Sequence, residues 1–181
     1  MAIREGDSII PGLNMLLDAF ITSDLPVLFT RDWHPPNHCS FKENGGPWPP
    51  HCVRNTRGAA FHLDLYVPKN ATIINKATEP DREAYSAFQG TNLTSTLKKM
   101  SVTELFVGGL ATDYCIKNTI GDALKEGFLV SVLTDCIRGV NLRRSDSANA
   151  LKWMKANGAI ETTSHSVVKR IHRRAAVLSS S

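Results

Sequence analysis

The stretch Glu104-Leu105-Phe106-Val107-Gly108-Gly109-Leu110-Ala111-Thr112-Asp113-Tyr114-Cys115 joins a short apolar segment to a polar one through two glycines. Residues 104–107 are rich in strand-forming side chains, and a helix is predicted from about residue 113. A strand that passes directly into a helix is half of a βαβ unit, whose next strand pairs in parallel through a right-handed crossover. The stretch therefore predicts an α/β fold.

The remainder of the chain repeats this alternation. Strands are predicted at residues 26–30, 71–75, 104–107, 128–133 and 159–161, and helices at residues 8–20, 92–100, 113–126 and 145–156. Asp7 is the predicted N-cap of the first helix, with Pro11 in its first turn. The proline-rich residues 33–70 are predicted to form an irregular loop. We expect a three-layer α/β/α arrangement, with a parallel sheet and helices on both faces.

Length and charge limit the possible classes of protein. The chain has 181 residues, of which 42% are hydrophobic, and this predicts one domain over residues 1–181. The net charge of +4 comes from 21 basic and 17 acidic residues, with the largest basic excess at residues 169–174 of a tail that begins at about residue 164. That run is short, terminal and not interleaved with aromatic residues. A solvated helix face or a frayed tail is therefore expected rather than a nucleic-acid site.

Cysteine usage and hydropathy indicate the compartment. The four cysteines have no CxxC spacing, which is typical of a protein in the reducing cytoplasm. No signal segment opens the sequence, and no apolar run approaches the about 20 residues of a membrane-spanning helix. We expect a cytoplasmic protein that acts on a small molecule and binds neither nucleic acid nor membrane.

A metal site is predicted where the strand at residues 26–30 ends. Asp32 and His34 are two residues apart, so on an extended chain their side chains lie on the same face, and His51 would close the site from a loop. A carboxylate and two imidazoles leave coordination positions open for water or substrate, as in catalytic sites. Zinc, iron(II) and manganese all accept this ligand set. His38 is a fourth candidate, with a supporting or simply exposed role as the alternatives.

Two further residues follow strands, at the edge of an α/β sheet where ligand sites form. Cys115 is predicted in the first helical turn, where backbone N–H groups and the helix dipole lower the pKa of a thiol and a lysine lowers it further. The same N–H groups can hold an oxyanion. The alternatives are that Cys115 is a small buried apolar residue and that Lys76 extends its ammonium to solvent.

Two aromatic residues are candidates for a substrate pocket. Trp48 is flanked by prolines and lies three residues before His51, so it presents a rigid flat surface beside the predicted metal. It either stacks on an aromatic ring or pins the long loop to the core. Tyr85, a little after Lys76, is a weaker candidate of the same kind.

Four motifs together resemble one enzyme family. Asp32-Trp33-His34-Pro35, Trp48-Pro49-Pro50-His51-Cys52, Tyr85-Ser86-Ala87-Phe88 and Gly109-Leu110-Ala111-Thr112-Asp113-Tyr114-Cys115 are similar to motifs of the nicotinamidase/pyrazinamidase branch of the isochorismatase-like cysteine hydrolases. The similarity runs from about residue 2 to the strand near residue 160. It implies a six-stranded parallel sheet, assembly as a homo-oligomer, and a metal-dependent amidase of NAD salvage. Such an enzyme converts nicotinamide to nicotinate and ammonia and also accepts pyrazinamide.

The resemblance also implies catalytic roles. Cys115 would attack the carboxamide carbon and form a thioester, while Lys76 supports the thiolate. The backbone N–H groups of Ala111 and Cys115 would form an oxyanion hole, and the peptide between Leu110 and Ala111 would be cis.

For the pocket, the resemblance implies one divalent metal held by Asp32, His34 and His51, with the pyridine nitrogen bound to it directly or through water. Zinc is the first expectation, and iron or manganese are the alternatives. The residues expected to bind the substrate are Trp48, Tyr85 and Leu110.

One departure from the family pattern has structural consequences. Family members begin with an apolar central strand that ends in an aspartate, the general base, whereas this chain matches the family only from the point after that strand. Neither Asp7 nor Asp113 lies in the required pattern. We therefore expect that the first central strand is missing, through a start site placed too late or a truncated product. The neighbouring strands would keep unpaired backbone groups, each costing about 1 to 3 kcal/mol if buried.

Two alternative functions follow. As alternatives to nicotinamide hydrolysis, the chain would be an impaired, truncated homologue that only binds metal or ligand, or an amidase of the same superfamily for another small amide.

Overall fold

The computed structural model describes residues 3–178, except for the side chains of residues 175, 177 and 178. Strands and helices alternate along this part of the chain, which confirms the predicted α/β class. The strands are β1 (Leu28–Asp32), β2 (Thr72–Lys76), β3 (Glu104–Leu110), β4 (Leu129–Arg138) and β5 (Ile160–Thr162). The helices are α1 (Ile10–Thr22), α2 (Leu93–Lys99), α3 (Lys117–Lys125), α4 (Asp146–Ala156) and α5 (Ser164–Leu178).

All strand pairs are parallel, but they form two separate sheets. β1 pairs with β2 in one sheet, and the other has the order β3-β4-β5. Within residues 3–178 no ladder joins β1 to β3, so the described strands number five in two sheets rather than six in one.

Helices cover both faces of the strands, as predicted. On one face α1 and α5 pack together over a cluster that includes Leu16, Cys136 and Ile171. On the other face the larger cluster includes Leu97 of α2 and Met154 of α4. Apolar side chains on two faces of the strands are what a three-layer arrangement requires.

The extent of β4 and the conformation of the C-terminal basic run bear on the predictions. β4 continues to Arg138, five residues beyond the predicted end, because its pairing with β3 resumes after a register shift, with Gly109 opposite Ile137. The basic run at residues 169–174 lies on α5, where Ile171 is buried and Arg170 forms an ion pair with Glu104. The alternative of a frayed tail is therefore wrong for this run, and the helix-face alternative is correct.

The helix starts also differ in detail. Asp7 lies inside a 3₁₀ turn, Gly6–Ile9, so the N-cap of α1 is Ile9 and the predicted capping role of Asp7 is wrong. Pro11 does stand at the start of α1. Cys115 lies in a π-helical turn, Thr112–Ile116, that leads into α3.

Among the described residues, none of the helices is both long and apolar enough to cross a membrane.

Candidate active site

The carboxyl ends of three strands converge on one buried lysine. Asp32 and Lys76 are register partners at the ends of β1 and β2, and Cys115 follows β3. The Lys76 ammonium donates to the Asp32 carboxylate, to the Ala84 carbonyl at 2.8 Å and to Cys115 Sγ at 3.4 Å. Only 4% of Lys76 is exposed, so its charge is balanced by these contacts rather than by solvent.

Burial and charge act against each other in this group. Burial lowers the pKa of Lys76, but Cys115 and Asp32 outweigh it and the net pKa is raised. Burial raises the pKa of the Cys115 thiol, and the Lys76 ammonium only partly opposes this. We predicted a lowered pKa for Cys115, and the direction is the opposite because desolvation exceeds the attraction to Lys76. Among its neighbours, Lys76 is therefore the group that lowers the pKa of Cys115 most.

The turn that carries Cys115 is fixed by backbone contacts. The carbonyl of Ala111 accepts hydrogen bonds from the N–H groups of Tyr114, at 3.2 Å, and Ile116, at 3.0 Å. The peptide between Leu110 and Ala111 is cis, as the resemblance implied, and the backbone of Ala111 is one of the groups that lower the pKa of the Cys115 thiol. Ala111 therefore lies against the reacting group, with Leu110 on the wall of the same cavity.

The three predicted metal ligands lie together. One ligand atom from each of Asp32, His34 and His51 falls within 4.8 Å of the other two. The Nδ1–H of His34 donates to the Ala77 carbonyl at 3.2 Å, and that of His51 donates to the Pro49 carbonyl at 2.9 Å. Because a carbonyl only accepts, each ring keeps the lone pair of Nε2 free for a metal. The donor set fits a divalent cation.

The charge state of His34 suits the same role. The ring is 1% exposed, and burial is the largest cause that lowers the pKa of His34 to about 4, against the opposing effect of Asp32. The imidazole is therefore neutral at pH 7, and the neutral form is the one that binds metal.

His38 is buried but has other partners. Its Nε2–H donates to the Arg82 carbonyl at 3.1 Å, while Nδ1 accepts from the Ser40 N–H at 3.2 Å and lies 2.7 Å from the Ser40 hydroxyl. Its ring centroid is 4.1 Å from that of His34. Because both nitrogens of His38 are engaged, its ring packs against His34 and does not offer a free nitrogen to a metal. This favours the supporting role among the predicted alternatives, and the burial of His38 excludes the exposed one.

An aromatic wall stands beside Cys115. The Trp48 Nε1–H donates to the Tyr85 hydroxyl at 3.0 Å, and Tyr114 lies edge-on to Trp48, with ring centroids 4.9 Å apart. Tyr85 and Tyr114 are 5.5 Å apart. The structure thus brings the two aromatic residues predicted for the pocket together and adds Tyr114. Its position directly before Cys115 was the available sequence signal.

Sequence reasoning also missed Phe41. This side chain is fully buried, and its ring centroid lies 5.6 Å from those of His34 and His51. It fixes the positions of the two imidazoles. An isolated phenylalanine in a proline-rich loop carries no signal of that role.

Asp113 ties the nucleophile turn to the loop after β4. Its carboxylate accepts from the N–H groups of Val140, at 2.9 Å, and Asn141, at 2.8 Å. A Cβ at Gly139 would lie 2.0 Å from the Ser147 hydroxyl and 3.0 Å from Asp113, so only glycine fits that close approach. Asp113 therefore positions a loop, consistent with its exclusion as the general base.

Comparison with known proteins places this site in a family. The isochorismatase domain family matches residues 1–166. The nicotinamidase of Escherichia coli (strain K12) is 39% identical to this chain over an alignment of 180 residues. The alignment covers 88% of this chain and 84% of that protein.

Solved structures agree with the sequence comparison. The pyrazinamidase of Pyrococcus horikoshii in complex with zinc has a TM-score of 0.84 at 47% identity, covering 89% of this chain and 88% of that one. The PnC1 protein of L. infantum in complex with nicotinate has a TM-score of 0.81 at 32% identity, covering 90% and 83%. The chain therefore belongs to the isochorismatase family, on its nicotinamidase and pyrazinamidase branch, and is a hydrolase of amide C–N bonds.

Proposed function

We propose that the chain hydrolyses nicotinamide to nicotinate and ammonia, and pyrazinamide in the same way, as a cytoplasmic enzyme of NAD salvage. One observation carries the proposal: buried Lys76 and half-buried Cys115 face a cavity that also holds the metal-ligand set and Trp48. The four cysteines are free, which supports a reducing compartment. Relatives named for these two amides, and one structure with nicotinate, support the substrate.

The chemistry assigned to the chain is acyl transfer through a thioester. Cys115 Sγ loses its proton and attacks the carboxamide carbon, which forms the C–S bond. The C–N bond then breaks, and the departing nitrogen takes up the proton that the thiol lost, so ammonia leaves. The Lys76 ammonium, 3.4 Å away, stabilises the thiolate. Backbone N–H groups of Ala111 and Cys115 would hold the oxyanion. Water then cleaves the thioester, which releases nicotinate and restores the thiol.

The remaining residues orient the ring. Asp32, His34 and His51 would hold one divalent metal, zinc in the first place and iron or manganese as alternatives. When bound, the metal supplies a Lewis-acidic anchor for the pyridine nitrogen. The substrate-binding residues assigned to the ring pocket are Trp48, Tyr85, Tyr114 and Leu110.

A second candidate function is binding of metal and pyridine ligand with little turnover. It is favoured by the contact of Lys76 with Asp32, because the carboxylate that serves the reacting lysine also belongs to the metal-ligand set. Without a separate general base, turnover should be lower by about 10²- to 10⁴-fold.

The test is ammonia release by the zinc-loaded chain from nicotinamide, pyrazinamide and a panel of other small amides. The proposal expects nicotinamide to be preferred and activity to be lost on metal removal and restored by zinc. Preference for another amide would contradict the assigned substrate. Nicotinate binding measured by calorimetry, without ammonia release, would favour the second candidate, and sedimentation velocity tests the expected homo-oligomer.

A further inference from the structure

An irregular segment, residues 83–91 between β2 and α2, carries two groups of the candidate active site. The Ala84 carbonyl accepts a hydrogen bond from the Lys76 ammonium at 2.8 Å. The Tyr85 hydroxyl accepts one from the indole N–H of Trp48 at 3.0 Å. The placement of this segment therefore affects both the reacting lysine and the aromatic wall.

The segment is buried, and several of its N–H groups are paired locally. Ser86 and Ala87 are 0% exposed, and Ala84 is 3% exposed. The Ala84 N–H donates to the Glu83 carboxylate at 2.9 Å, and the Ser86 N–H donates to the side-chain oxygen of Gln89 at 3.1 Å. These bonds satisfy buried backbone groups and shape the segment, but they do not attach it to another element.

One N–H group of the segment is paired with a helix instead. The Ala87 N–H donates to the hydroxyl of Thr119, in α3, at 3.0 Å. Thr119 follows Cys115 by four residues, which is about one turn of helix, and both residues line the active-site cavity. The bond therefore joins the helix that follows the nucleophile to the segment that holds the reacting lysine.

We propose that Thr119 is a positioning residue of the amidase reaction. Its hydroxyl holds residues 83–91 against α3, so that the Ala84 carbonyl directs the Lys76 ammonium at Cys115. An ammonium has three donors, and Ala84 and Cys115 each accept one, so a shift of the first acceptor changes the geometry offered to the second. The role rests on the proposed function, because it concerns the same reacting pair.

The direct test compares Thr119→Val, which keeps the shape of the side chain and removes the acceptor, with Thr119→Ser, which keeps the acceptor. In the full zinc-loaded chain at pH 8, alkylation of Cys115 by iodoacetamide should be about fivefold slower in Thr119→Val, because the ammonium is less well placed to stabilise the thiolate. Thr119→Ser should restore the rate. An unchanged rate in Thr119→Val, or no recovery in Thr119→Ser, would overturn the proposal.

Thr91→Val is the matched control. The Thr91 hydroxyl donates to the carbonyl of the same residue, Ala87, at 2.6 Å, but from within the segment. This variant therefore removes a bond of the same kind at the same place and leaves the attachment to α3 intact. The alkylation rate of Cys115 should stay near that of the parent chain. A slowing equal to that of Thr119→Val would indicate general loosening of the segment and contradict the assigned link.

A double-mutant cycle tests whether the effect passes through the lysine. In the Lys76→Met background the ammonium is absent, so Thr119→Val should change the alkylation rate of Cys115 by less than about twofold. A further slowing equal to that in the parent background would mean that Thr119 acts on Cys115 by another route, and the proposal would be wrong.

Steady-state kinetics separate the lysine from the aromatic wall. Thr119→Val should lower kcat for nicotinamide about tenfold with a smaller change in KM. A rise in KM at unchanged kcat would assign Thr119 to ring binding and contradict its role at the reacting pair. If the parent chain shows no turnover, the proposed function fails, while the alkylation measurements still decide the role of Thr119.

Hydrogen exchange decides the matter if Thr119→Val does not fold. In the parent chain and in Thr119→Ser, the Ala87 amide should exchange about 100-fold or more slowly than in an unstructured peptide. Exchange of this amide at the unprotected rate would show that no bond holds the segment to α3, and would overturn the proposal.

Discussion

The metal side of the site (Asp32, His34 and His51) and its reacting side (Lys76 and Cys115) differ in how their groups are held. The His51 ring donates to the carbonyl of Pro49 in the same loop, and the His34 ring donates to the carbonyl of Ala77, the residue after β2. Lys76, in contrast, contacts Asp32, a group of the metal side. His51 is therefore positioned from within its own loop, and His34 from the end of β2. The reacting pair joins Lys76 at the end of β2 to Cys115 after β3, and among the described residues these two strands belong to different sheets.

The largest effect should come from removal of the nucleophile. Cys115→Ala is expected to reduce ammonia release from nicotinamide by about 10⁴-fold or more, because no thioester can form. Zinc content, measured by mass spectrometry of the metal, should not change, since the thiol is not in the ligand set. Cys39→Ala is the matched control and should keep its activity. Loss of zinc from the Cys115 variant would show that the two sides are not separate.

The metal side is tested by His51→Ala. The affinity for zinc should fall by about 100-fold, because one of the three ligand groups is removed. His62→Ala is the control, since His62 is exposed and its ring nitrogen lies near Asp64 instead. His38→Ala should have a smaller effect than His51→Ala, because both nitrogens of His38 are engaged by Ser40 and Arg82. Equal losses would make His38 a ligand and contradict its supporting role.

The coupling on the reacting side is tested by Lys76→Met. Burial raises the pKa of Cys115, and the ammonium opposes that rise, so its removal should raise the pKa further. Alkylation of Cys115 by iodoacetamide, followed by peptide mass spectrometry, should be about tenfold slower at pH 8. In the parent chain the rate should still increase from pH 7 to pH 9, because the thiolate fraction grows as pH approaches a raised pKa. Cys39 in the same sample is the control, and unchanged Cys115 alkylation would contradict the coupling.

The smallest effect concerns the aromatic wall. Trp48→Phe keeps a ring and removes the hydrogen bond to Tyr85, so KM for nicotinamide should rise about fivefold with little change in kcat. Tyr85→Phe, which removes the other partner of that bond, should give a similar rise. A fall in kcat without a change in KM would assign Trp48 to the chemical step instead of ring binding.

Features with short-range causes were predictable from the sequence. The two-residue spacing of Asp32 and His34 is fixed by strand periodicity, and the alternation of strands and helices predicted the layered fold. Cys115 was placed after β3 by the glycines that precede it. The cis peptide at Ala111 was implied only by the resemblance, since no local pattern specifies it.

Features with distant causes were not predictable. The pKa of Cys115 depends on burial by several elements. The hydrogen bonding of the His38 ring depends on the carbonyl of Arg82, 44 residues away. β4 extends to Arg138 because β3 offers pairing beyond a register shift. Such contacts arise between segments that the sequence separates, so they require the folded chain.

The thioester on Cys115 is the central intermediate of the proposed reaction, and hydroxylamine tests it most directly. During nicotinamide hydrolysis by the zinc-loaded chain, an acyl group on Cys115 should transfer partly to hydroxylamine. Liquid chromatography should then detect nicotinohydroxamate formed at the expense of nicotinate, and Cys115→Ala should form none. Ammonia release accompanied by nicotinate alone, at hydroxylamine concentrations that cleave thioesters, would contradict the role of Cys115.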